Sequence, residues 1–413
     1  MIWLLVCVAL MGSTHSFLLS KDLRRAALYC GEERIDNPRT RRVRYSGRYP
    51  KRFEEKYKEL SGDVATIAKV ISKGNTPAGQ HIPIMLEPCL QRMGLSEENS
   101  SAERETAKLV VDCTLGYGGH SSAILERLLR RNDKSKLLSL DQDPIESQRA
   151  ESRLRAVIDA SGQGQHQNTL RVVNINFRHL LSYLGEHQLQ GKVSALLCDL
   201  GCSSMQIDDA SRGFTFKADG PLDMRMDPVN NNVTAAVLLQ SLSGQPQALS
   251  RILAENSDEI YAEPIAQALI GGGKDSIPTT TTAFRKRIQE CLSKVVTRKQ
   301  DCNKQLIDAT TRRCMQALRI EINQEFSALD ELLADLEHIL APGGTAVFLT
   351  FHSGEDRRVK KCFKAGFNRH AFAAWSRDVE RADWAEQRSN PRSSCVKLRW
   401  ATRASGAATM DRE

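Results

Sequence analysis

Three aspartates and a short glycine-rich turn have the residue types and spacing to act on a bound ligand. Asp112, Asp141 and Asp199 each lie at or next to the end of an apolar run. The turn "GYGG" (116–119) follows the first run and leads into His120. Carboxylates accept hydrogen bonds from hydroxyl and amino groups, and glycines let a ligand approach the backbone closely. This combination predicts a site for a polar organic cofactor.

Alternating strand and helix patterns must position these residues. Alternation of this kind implies a parallel, doubly wound α/β sheet, in which ligands bind beyond the carboxyl ends of the strands. The three aspartates should therefore share one edge of the sheet, although a lone aspartate there can also cap a helix. The patterns predict strands at 108–113, 136–141, 170–174, 193–199 and 345–351, and helices at 120–131, 145–158, 178–187 and 326–340.

The glycine turn departs from the two common phosphate-binding patterns. Ser121 stands where a dinucleotide fingerprint has its third glycine, and the lysine of a P-loop is absent. Asp141 follows the turn at about the separation, roughly twenty residues, from which an acid binds both ribose hydroxyls. A nucleoside without a pyrophosphate fits best, and S-adenosylmethionine is such a cofactor. A nicotinamide cofactor and a purely structural turn remain the alternatives.

Composition indicates an ordinary globular chain with an uneven charge distribution. Of 413 residues, 41% are hydrophobic and 26% are charged, and the net charge is +8. Residues 18–58 hold thirteen Lys and Arg against six Asp and Glu. The eleven cysteines form no CxxC pair and no zinc-like spacing. We therefore expect a reducing compartment and no metal site, and a disulfide scaffold is disfavoured.

The first 38 residues have the pattern of a targeting presequence. Ile2–Met11 is too short to span a bilayer but suits the apolar core of a signal peptide. An aromatic residue, Phe17, and an Arg-rich stretch follow, an order that resembles the bipartite presequences of algae with secondary plastids. We expect import into an organelle, a plastid rather than a mitochondrion, and no membrane segment in the mature protein. A misassigned start and a buried apolar end are the alternatives.

Seven stretches resemble, in order, the RsmH/MraW family of S-adenosylmethionine-dependent methyltransferases. The resemblance runs from about residue 40 to residue 400, and the stretch from 199 to 228 is its most specific part. The stretches are "HIPIMLEPCL" (81–90), "VDCTLGYGGHSSAIL" (111–125), "LLSLDQDP" (137–144), "LLCDLGCSSMQIDDASRGFTFKADGPLDMRMDP" (196–228), "MQALRIEINQEF" (315–326), "APGGTAVFLTFHSGEDRRVK" (341–360) and "NPRSSCVKLR" (390–399).

The resemblance implies a fold, a reaction and a set of cofactor residues. The fold would be a Rossmann-like class I methyltransferase sheet with a helical insertion. The reaction would be methylation of N4 of a cytidine in the decoding region of small-subunit rRNA, with the rRNA or the assembling small ribosomal particle as partner. The implied cofactor residues are Gly118, Gly119, His120, Asp141, Phe177, Asp199 and Gln206.

Each implied role has a physical basis. His120 would offer its ring or a backbone N–H to the methionine carboxylate, Asp141 would bind the ribose, and Phe177 would lie against the adenine. Asp199 is the candidate catalytic residue, because a weakly nucleophilic exocyclic amine needs positioning and a hydrogen-bond acceptor more than a strong base. The loop after Asp199 lacks the aromatic residue that other amino-methyltransferases stack on the base, so Phe214 or Phe216 would take that role.

The resemblance also implies a division of the chain. A presequence (1–38) and a basic extension (39–80) would precede the first part of the methyltransferase domain (81–232). A helical, RNA-binding insertion (233–325) would separate it from the second part (326–400), and a tail (401–413) would follow. Basic residues expected to bind RNA on the insertion are Arg285, Lys286, Arg287, Lys294, Arg298, Lys299, Arg312, Arg313 and Arg319.

Two charged segments are expected to shape the RNA site. The loop after Asp199 would form a lid that reads cytosine and the neighbouring phosphates, through Asp208, Asp209, Arg212, Asp219, Asp223, Arg225 and Asp227. A second set follows the last predicted strand and comprises His352, Ser353, Glu355, Asp356 and Arg357.

The chain departs from the family pattern at Asn256–Ile260 and at Gly354, where leucine is usual, which leaves the details of the RNA side open. Two other functions are therefore alternatives to methyl transfer. One is a catalytically silent RNA-binding factor of ribosome assembly, and the other is a nicotinamide-dependent oxidoreductase.

Overall fold

The computed structural model describes residues 83–96, 107–131, 134–161, 168–273, 276–296 and 302–405. These residues lie within one compact unit, Lys51–Glu413. The predicted presequence (1–38) and basic extension (39–80) lie outside the described residues, so those assignments stay predictions.

Within the described ranges, seven strands form one sheet. They are β1 (Leu109–Asp112), β2 (Lys136–Leu140), β3 (Leu170–Val173), β4 (Val193–Asp199), β5 (Leu340–Thr350), β6 (Phe372–Trp375) and β7 (Lys397–Arg403). Their order is β3-β2-β1-β4-β5-β7-β6. Strands β1 to β5 are parallel, whereas β7 runs antiparallel to both β5 and β6. The expected Rossmann-like α/β sheet is confirmed, and β7, which the sequence patterns did not predict, is its antiparallel strand.

The described α-helices alternate with the strands and then continue as a separate helical segment. They are α1 (Leu86–Arg92), α2 (Gly119–Arg131), α3 (Pro144–Ala160), α4 (Leu180–Glu186), α5 (Ser204–Asp208), α6 (Ala235–Ser241), α7 (Pro246–Ser257), α8 (Ala262–Ile270), α9 (Thr281–Val295), α10 (Lys304–Ile322), α11 (Glu325–Ile339), α12 (Ser353–Asn368) and α13 (Trp384–Ser389). Short 3-10 helices span Phe177–His179, Ala210–Arg212 and Pro391–Cys395.

Both faces of the sheet are buried, as in doubly wound folds. Neighbouring residues of β1 belong to different apolar clusters: Val110 packs in the cluster with α1, α2 and α3, and Val111 in the cluster with α4, α11 and α12. This is the period of two expected for a strand covered on both sides. The continuous apolar runs that predicted the central strands follow from this double burial.

Helices α6 to α10 pack around a third apolar cluster. Its fully buried members include Leu253, Phe284 and Leu318, one each from α7, α9 and α10. The segment leaves the sheet after β4 and returns to it at α11. No helix in the described part of the chain is long and apolar enough to cross a bilayer.

Candidate functional site

A cavity of about 580 Å³ opens beyond the carboxyl ends of the central strands. Its walls are the turn after β1, the residues after β2, the loop after β4, the start of α12 and parts of α10 and α11. Cofactor sites typically have volumes of about 300 to 1,000 Å³. The cavity therefore has the position and the size of a ligand site in a sheet of this type.

The glycine turn brings its backbone to the wall of this cavity. Gly116 and Gly118 have φ angles of 47° and 90°, in the left-handed region that favours glycine. Gly116 and Gly119 line the cavity, whereas Gly118 does not. A Cβ on Gly118 would instead lie 3.5 Å from Ala150 of α3. Of the two predicted glycines, the structure places Gly119 at the site and Gly118 behind it, where it shapes the turn.

Asp112 stabilises the glycine turn through hydrogen bonds without lining the cavity itself. It is fully buried and accepts hydrogen bonds from the Thr114 backbone N–H at 3.0 Å and from Ser121 Oγ at 2.7 Å. Thr114 Oγ1 in turn accepts a hydrogen bond from the backbone N–H of Asp199 at 2.7 Å. Asp112 does not line the cavity, and it links the ends of β1 and β4 so that the glycine turn faces Asp199.

Asp141 follows β2 directly and is held by two backbone donors. Its Oδ2 accepts from Gly116 N–H at 2.6 Å and its Oδ1 from Asp143 N–H at 2.9 Å. Burial raises its pKa to about 7, although both hydrogen bonds oppose the shift. Each carboxylate oxygen retains acceptor capacity, so the oriented carboxylate suits a pair of adjacent hydroxyls such as those of a ribose.

Phe177 begins a 3-10 helix after β3 and also lines the cavity. Its ring packs partly against the core cluster beneath, so one aromatic side chain serves both the core and the cavity wall. Two polar neighbours that the sequence did not single out stand beside it. Asn176 Nδ2 donates to Gln142 Oε1 at 2.7 Å, and both residues line the cavity.

The ring of His120 is already engaged by the protein. Its Nε2 bonds the Ile84 carbonyl at 3.1 Å, and its Nδ1 lies 3.5 Å from Asp199 Oδ2. Burial lowers the pKa of His120 to about 4, with the bond to Ile84 opposing the shift, so the ring is neutral near pH 7. A neutral ring with both nitrogens facing protein atoms does not suit a carboxylate. Of the two roles predicted for His120, the ring contact is therefore disfavoured and the backbone contact remains a prediction.

Asp199 lines the cavity and has one unsatisfied carboxyl oxygen. Within the described residues, its Oδ1 is buried and has no hydrogen-bond partner. Burial, followed by the charges of Asp112 and Glu355, raises the pKa of Asp199 to about 8. Buried polar atoms are nearly always hydrogen-bonded in folded proteins. A residue that lines a cavity and has an orphaned carboxyl oxygen therefore suits a ligand that donates a hydrogen bond.

Gln206 lines the cavity, but its amide mainly holds the loop after β4 in place. Its Oε1 accepts from Ser203 N–H at 2.9 Å and its Nε2 donates to Asp143 Oδ2 at 2.9 Å. Arg212 Nη2 donates to the same Asp143 oxygen at 2.8 Å and also to the Arg225 carbonyl at 3.0 Å. This buried network fixes the loop after β4 against the start of α3.

The seven charged residues expected to form a base-reading lid are bonded within the protein. Arg212 pairs with Asp143, Arg225 with Asp223, and Asp219 with Thr282. None of the seven charged residues expected to form a base-reading lid lines the cavity, and that expectation is corrected. The loop residues that do line it include Phe214, Phe216, Lys217, Met224 and Met226. The two candidate stacking aromatics are thus at the site.

The helical segment supplies the opposite wall. Arg319 near the end of α10 lines the cavity and donates to both carboxylate oxygens of Glu325, at 2.7 and 2.9 Å. Its predicted role in RNA binding stays a prediction, and the structure shows that it is mostly buried rather than solvated. Arg285 and Arg313 are also paired, with Asp308 and Glu259, whereas Arg312 is exposed at the cavity.

Of the residues after β5, some line the cavity and others bond to residues elsewhere in the protein. His352 and Glu355 line the cavity, whereas Asp356 bonds Lys397 and Arg399 of β7, at 2.7 and 2.6 Å. Ser353 and Arg357 contact Asp258 of the helical segment instead. The expectation that all of 352–357 shape the RNA site is therefore corrected.

Gly354 leaves room for an aromatic ring. A Cβ at this position would lie 2.6 Å from Phe326 Cζ, so the ring of Phe326 occupies the space that a leucine would need. Phe326 itself lines the cavity. The departure from the family pattern at Gly354 is thus matched by a bulky neighbour.

Fold and site together define an α/β enzyme of the class that binds a nucleoside cofactor through a glycine turn and strand-end carboxylates. The family model described as the MraW methylase family matches residues 78–404. The chain belongs to this family, and the resemblance seen in the sequence is confirmed. It is a methyltransferase with S-adenosylmethionine as its cofactor.

Curated relatives extend over most of the chain. "Ribosomal RNA small subunit methyltransferase H 1" of Agathobacter rectalis is 41% identical over 368 residues, covering 88% of this chain and 97% of the relative. "Ribosomal RNA small subunit methyltransferase H 2" of Alkaliphilus metalliredigens is 39% identical and covers 89% and 99%. "Ribosomal RNA small subunit methyltransferase H" of Synechococcus is 36% identical and covers 79% and 94%.

The residues present fit this cofactor. Asp141 offers an oriented carboxylate for a ribose, Gly116 and Gly119 bring backbone close to the ligand, and Asp199 supplies an acceptor without a partner. Among the described residues there is no group of three or more His, Cys, Asp or Glu placed to hold a metal ion.

Proposed function

We propose that this protein methylates N4 of a cytidine in the decoding region of small-subunit rRNA, in the ribosome of an organelle. The observation that carries the proposal is that Asp199 lines the cofactor cavity and has a buried carboxyl oxygen, Oδ1, without a partner among the described residues. An exocyclic amine donates hydrogen bonds, and a strand-end carboxylate beside the cofactor is placed to accept one. The names of the curated relatives support small-subunit rRNA as the substrate.

S-adenosylmethionine supplies a methyl group activated by a sulfonium. The work of the protein is to hold the amine in line and to take its proton. Asp199 as carboxylate accepts a hydrogen bond from the amine, orients its lone pair and receives the proton that the methylated nitrogen releases. Positioning of this kind is worth several kcal/mol of barrier, because it replaces an entropically costly encounter. His120, Asp112 and Thr114 fix Asp199 in place.

RNA would reach the cavity through its exposed cationic edge. Lys217 and Arg312 are exposed, line the cavity and have no acidic partner within the described ranges. Cations of this kind bind phosphates without reading sequence. The target base must leave its stack, at a cost of a few kcal/mol, and Phe214 or Phe216 offers a ring on which it can stack again.

The test is methyl transfer from labelled cofactor to small ribosomal particles that lack the modification. We expect the wild-type protein to label the small-subunit rRNA and leave large-subunit rRNA unlabelled. Asp199→Asn keeps the side-chain size but removes the carboxylate, and it should lose at least about a hundredfold in rate. RNA binding without any label from the wild type would refute the proposal and favour a silent assembly factor.

The organelle assignment has its own test. It is supported by the apolar and Arg-rich pattern of residues 1–38, which lies outside the described residues. A fluorescent reporter fused to residues 1–60 should enter plastids. Entry into mitochondria would change the organelle, and a diffuse cytosolic signal would refute import.

A further inference from the structure

A largely buried arginine of the helical segment, Arg319, lines the cavity. Arg319 belongs to α10 of the helical segment, and only 12% of its side chain is exposed. It lines the same cavity as Asp141 and Asp199. Burying a guanidinium is costly unless it is paired, so a buried arginine at a cavity needs a reason beyond surface charge.

Glu325 holds this arginine in one orientation. Its two carboxylate oxygens accept from Arg319 Nε and Nη2, at 2.7 and 2.9 Å, which is a bidentate fork. Such forks fix the orientation of the guanidinium plane as well as the position of its charge. Glu325 opens α11, whereas Arg319 is near the end of α10, so the pair also clamps the turn between the two helices.

Among the described residues, the third nitrogen of the guanidinium has only a weak hydrogen-bond partner. Arg319 Nη1 lies 3.2 Å from Cys202 Sγ, and sulfur is only a weak acceptor. Cys202 follows Asp199 by three residues in the loop after β4, and both line the cavity. Arg319, with the fixed donor Nη1, and Asp199, with the unpartnered acceptor Oδ1, therefore line one cavity and are joined through one short loop.

We propose that Arg319 reads the target base, donating from Nη1 to the N3 acceptor of cytosine while Asp199 accepts from its N4 amine. This inference rests on the proposed function. Cytosine presents a donor at position 4 and acceptors at N3 and O2. Uracil presents a carbonyl at position 4, which would face the Asp199 carboxylate, and a donor at N3. The pair is therefore complementary to cytosine and mismatched to uracil.

The pairing of Arg319 also distinguishes it from other arginines of α10. Arg313 donates from Nε to Glu259 at 2.8 Å but does not line the cavity. Arg312 lines the cavity but is exposed and is placed for phosphates rather than for a base edge. Arg313 is thus a matched control for loss of a paired arginine on the same helix.

The experiment compares binding of cytidine and uridine to the full protein loaded with S-adenosylhomocysteine, by calorimetry at a pH above the pKa of Asp199, which is about 8, so that Asp199 is a carboxylate. The wild type should prefer cytidine by roughly tenfold or more, since a site built to hydrogen-bond one base leaves buried groups unpaired with the other. Arg319→Gln should reduce this preference without abolishing it, because Asp199 still discriminates at position 4. Arg319→Lys should not restore the full preference, because an ammonium lacks the fork. Glu325→Gln should weaken the preference, and Arg313→Gln should keep it.

Each outcome decides a separate statement. An undiminished preference in Arg319→Gln, or the same loss in Arg313→Gln, overturns the inference. If Arg319→Gln fails to bind S-adenosylhomocysteine, Glu325→Gln decides, and an unchanged preference there overturns it. A wild type that prefers cytidine but methylates no small-subunit particle supports base reading and refutes the proposed function. A wild type that methylates particles without any cytidine preference refutes base reading and supports the proposed function.

Discussion

His120 Nδ1 lies 3.5 Å from Asp199 Oδ2, while the other ring nitrogen of His120 bonds the Ile84 carbonyl. Because a carbonyl only accepts, the neutral ring carries its proton on Nε2 and turns the lone pair of Nδ1 toward Asp199. A proton shared by the two side chains must then come from Asp199. The raised pKa of Asp199, about 8, agrees with a carboxyl that holds this proton in the protein alone.

We expect methyl transfer to rise with pH through the titration of Asp199. Only the carboxylate accepts from the amine, and burial, Asp112 and Glu355 raise its pKa to about 8, so the active form increases between about pH 7 and pH 9. A bound cation would move this rise toward lower pH without reversing its sign. Single-turnover rates across this range measure it, with cofactor affinity determined at each pH. A rate that is flat or falls as the pH rises would contradict the role of Asp199.

Arg212→Gln should lower the free energy of unfolding by about 3 to 5 kcal/mol, because it leaves the fully buried carboxylate of Asp143 without its cation. Methyl transfer should fall as well, since this pair holds the loop after β4. Urea denaturation gives the first quantity. Lys286→Gln is the control: its lysine is 77% exposed and lies 4.0 Å from Glu290, so stability should change by less than about 0.5 kcal/mol. Equal effects of the two variants would contradict the buried network.

Gly354→Ala should destabilise the protein by about 1 to 3 kcal/mol, despite the higher helix propensity of alanine. Its Cβ would lie 2.6 Å from Phe326 Cζ, and that ring is stacked under Arg358 at 3.7 Å. Combining it with Phe326→Leu should cost less than the sum of the two single variants, which a double-mutant cycle measures.

Gly185→Ala is the control for this substitution. A Cβ at Gly185 within α4 meets the end of one flexible side chain, Gln190, so the change should be neutral or mildly stabilising. If the losses of stability from Gly354→Ala and Phe326→Leu are additive, the Phe326 ring does not occupy the space that a side chain at position 354 would need.

Lys217→Gln and Arg312→Gln should each weaken RNA binding uniformly across sequences. Each should also reduce the slope of log affinity against log salt by roughly 0.7 to 0.9, the value for one lost phosphate contact. Filter binding over a salt series is the measurement. Lys192→Gln is the control, because Lys192 precedes β4 at the opposite edge of the sheet. An unchanged slope in both cavity variants would place the RNA elsewhere.

The sequence predicted the central strands because each is buried on both faces and reads as an apolar run. It did not predict β7, which carries Lys397 and Arg399 within the sheet. Those two cations are tolerated because Asp356, on α12, bonds both. A partner some forty residues away cannot be inferred from local pattern.

The sequence predicted the cofactor-binding residues at the strand ends more fully than the residues expected to contact the RNA. Asp141 and Asp199 follow from position alone, since strand ends meet at one edge. Arg319 was predicted only as one of several basic residues that bind RNA, because nothing in an amphipathic helix distinguishes a solvated arginine from one paired across the helix end. The acid six residues later, Glu325, was the available signal, and the structure shows that it is the partner.

Nucleoside mass spectrometry of methylated particles tests the central claim most directly. Small ribosomal particles lacking the modification are incubated with the protein and S-adenosylmethionine, and their rRNA is digested to nucleosides. We predict N4-methylcytidine in the small-subunit rRNA and its absence with Asp199→Asn. A methyl group on carbon 5 of the base or on the ribose, or no methylated cytidine from a protein that binds its cofactor, would contradict the claim.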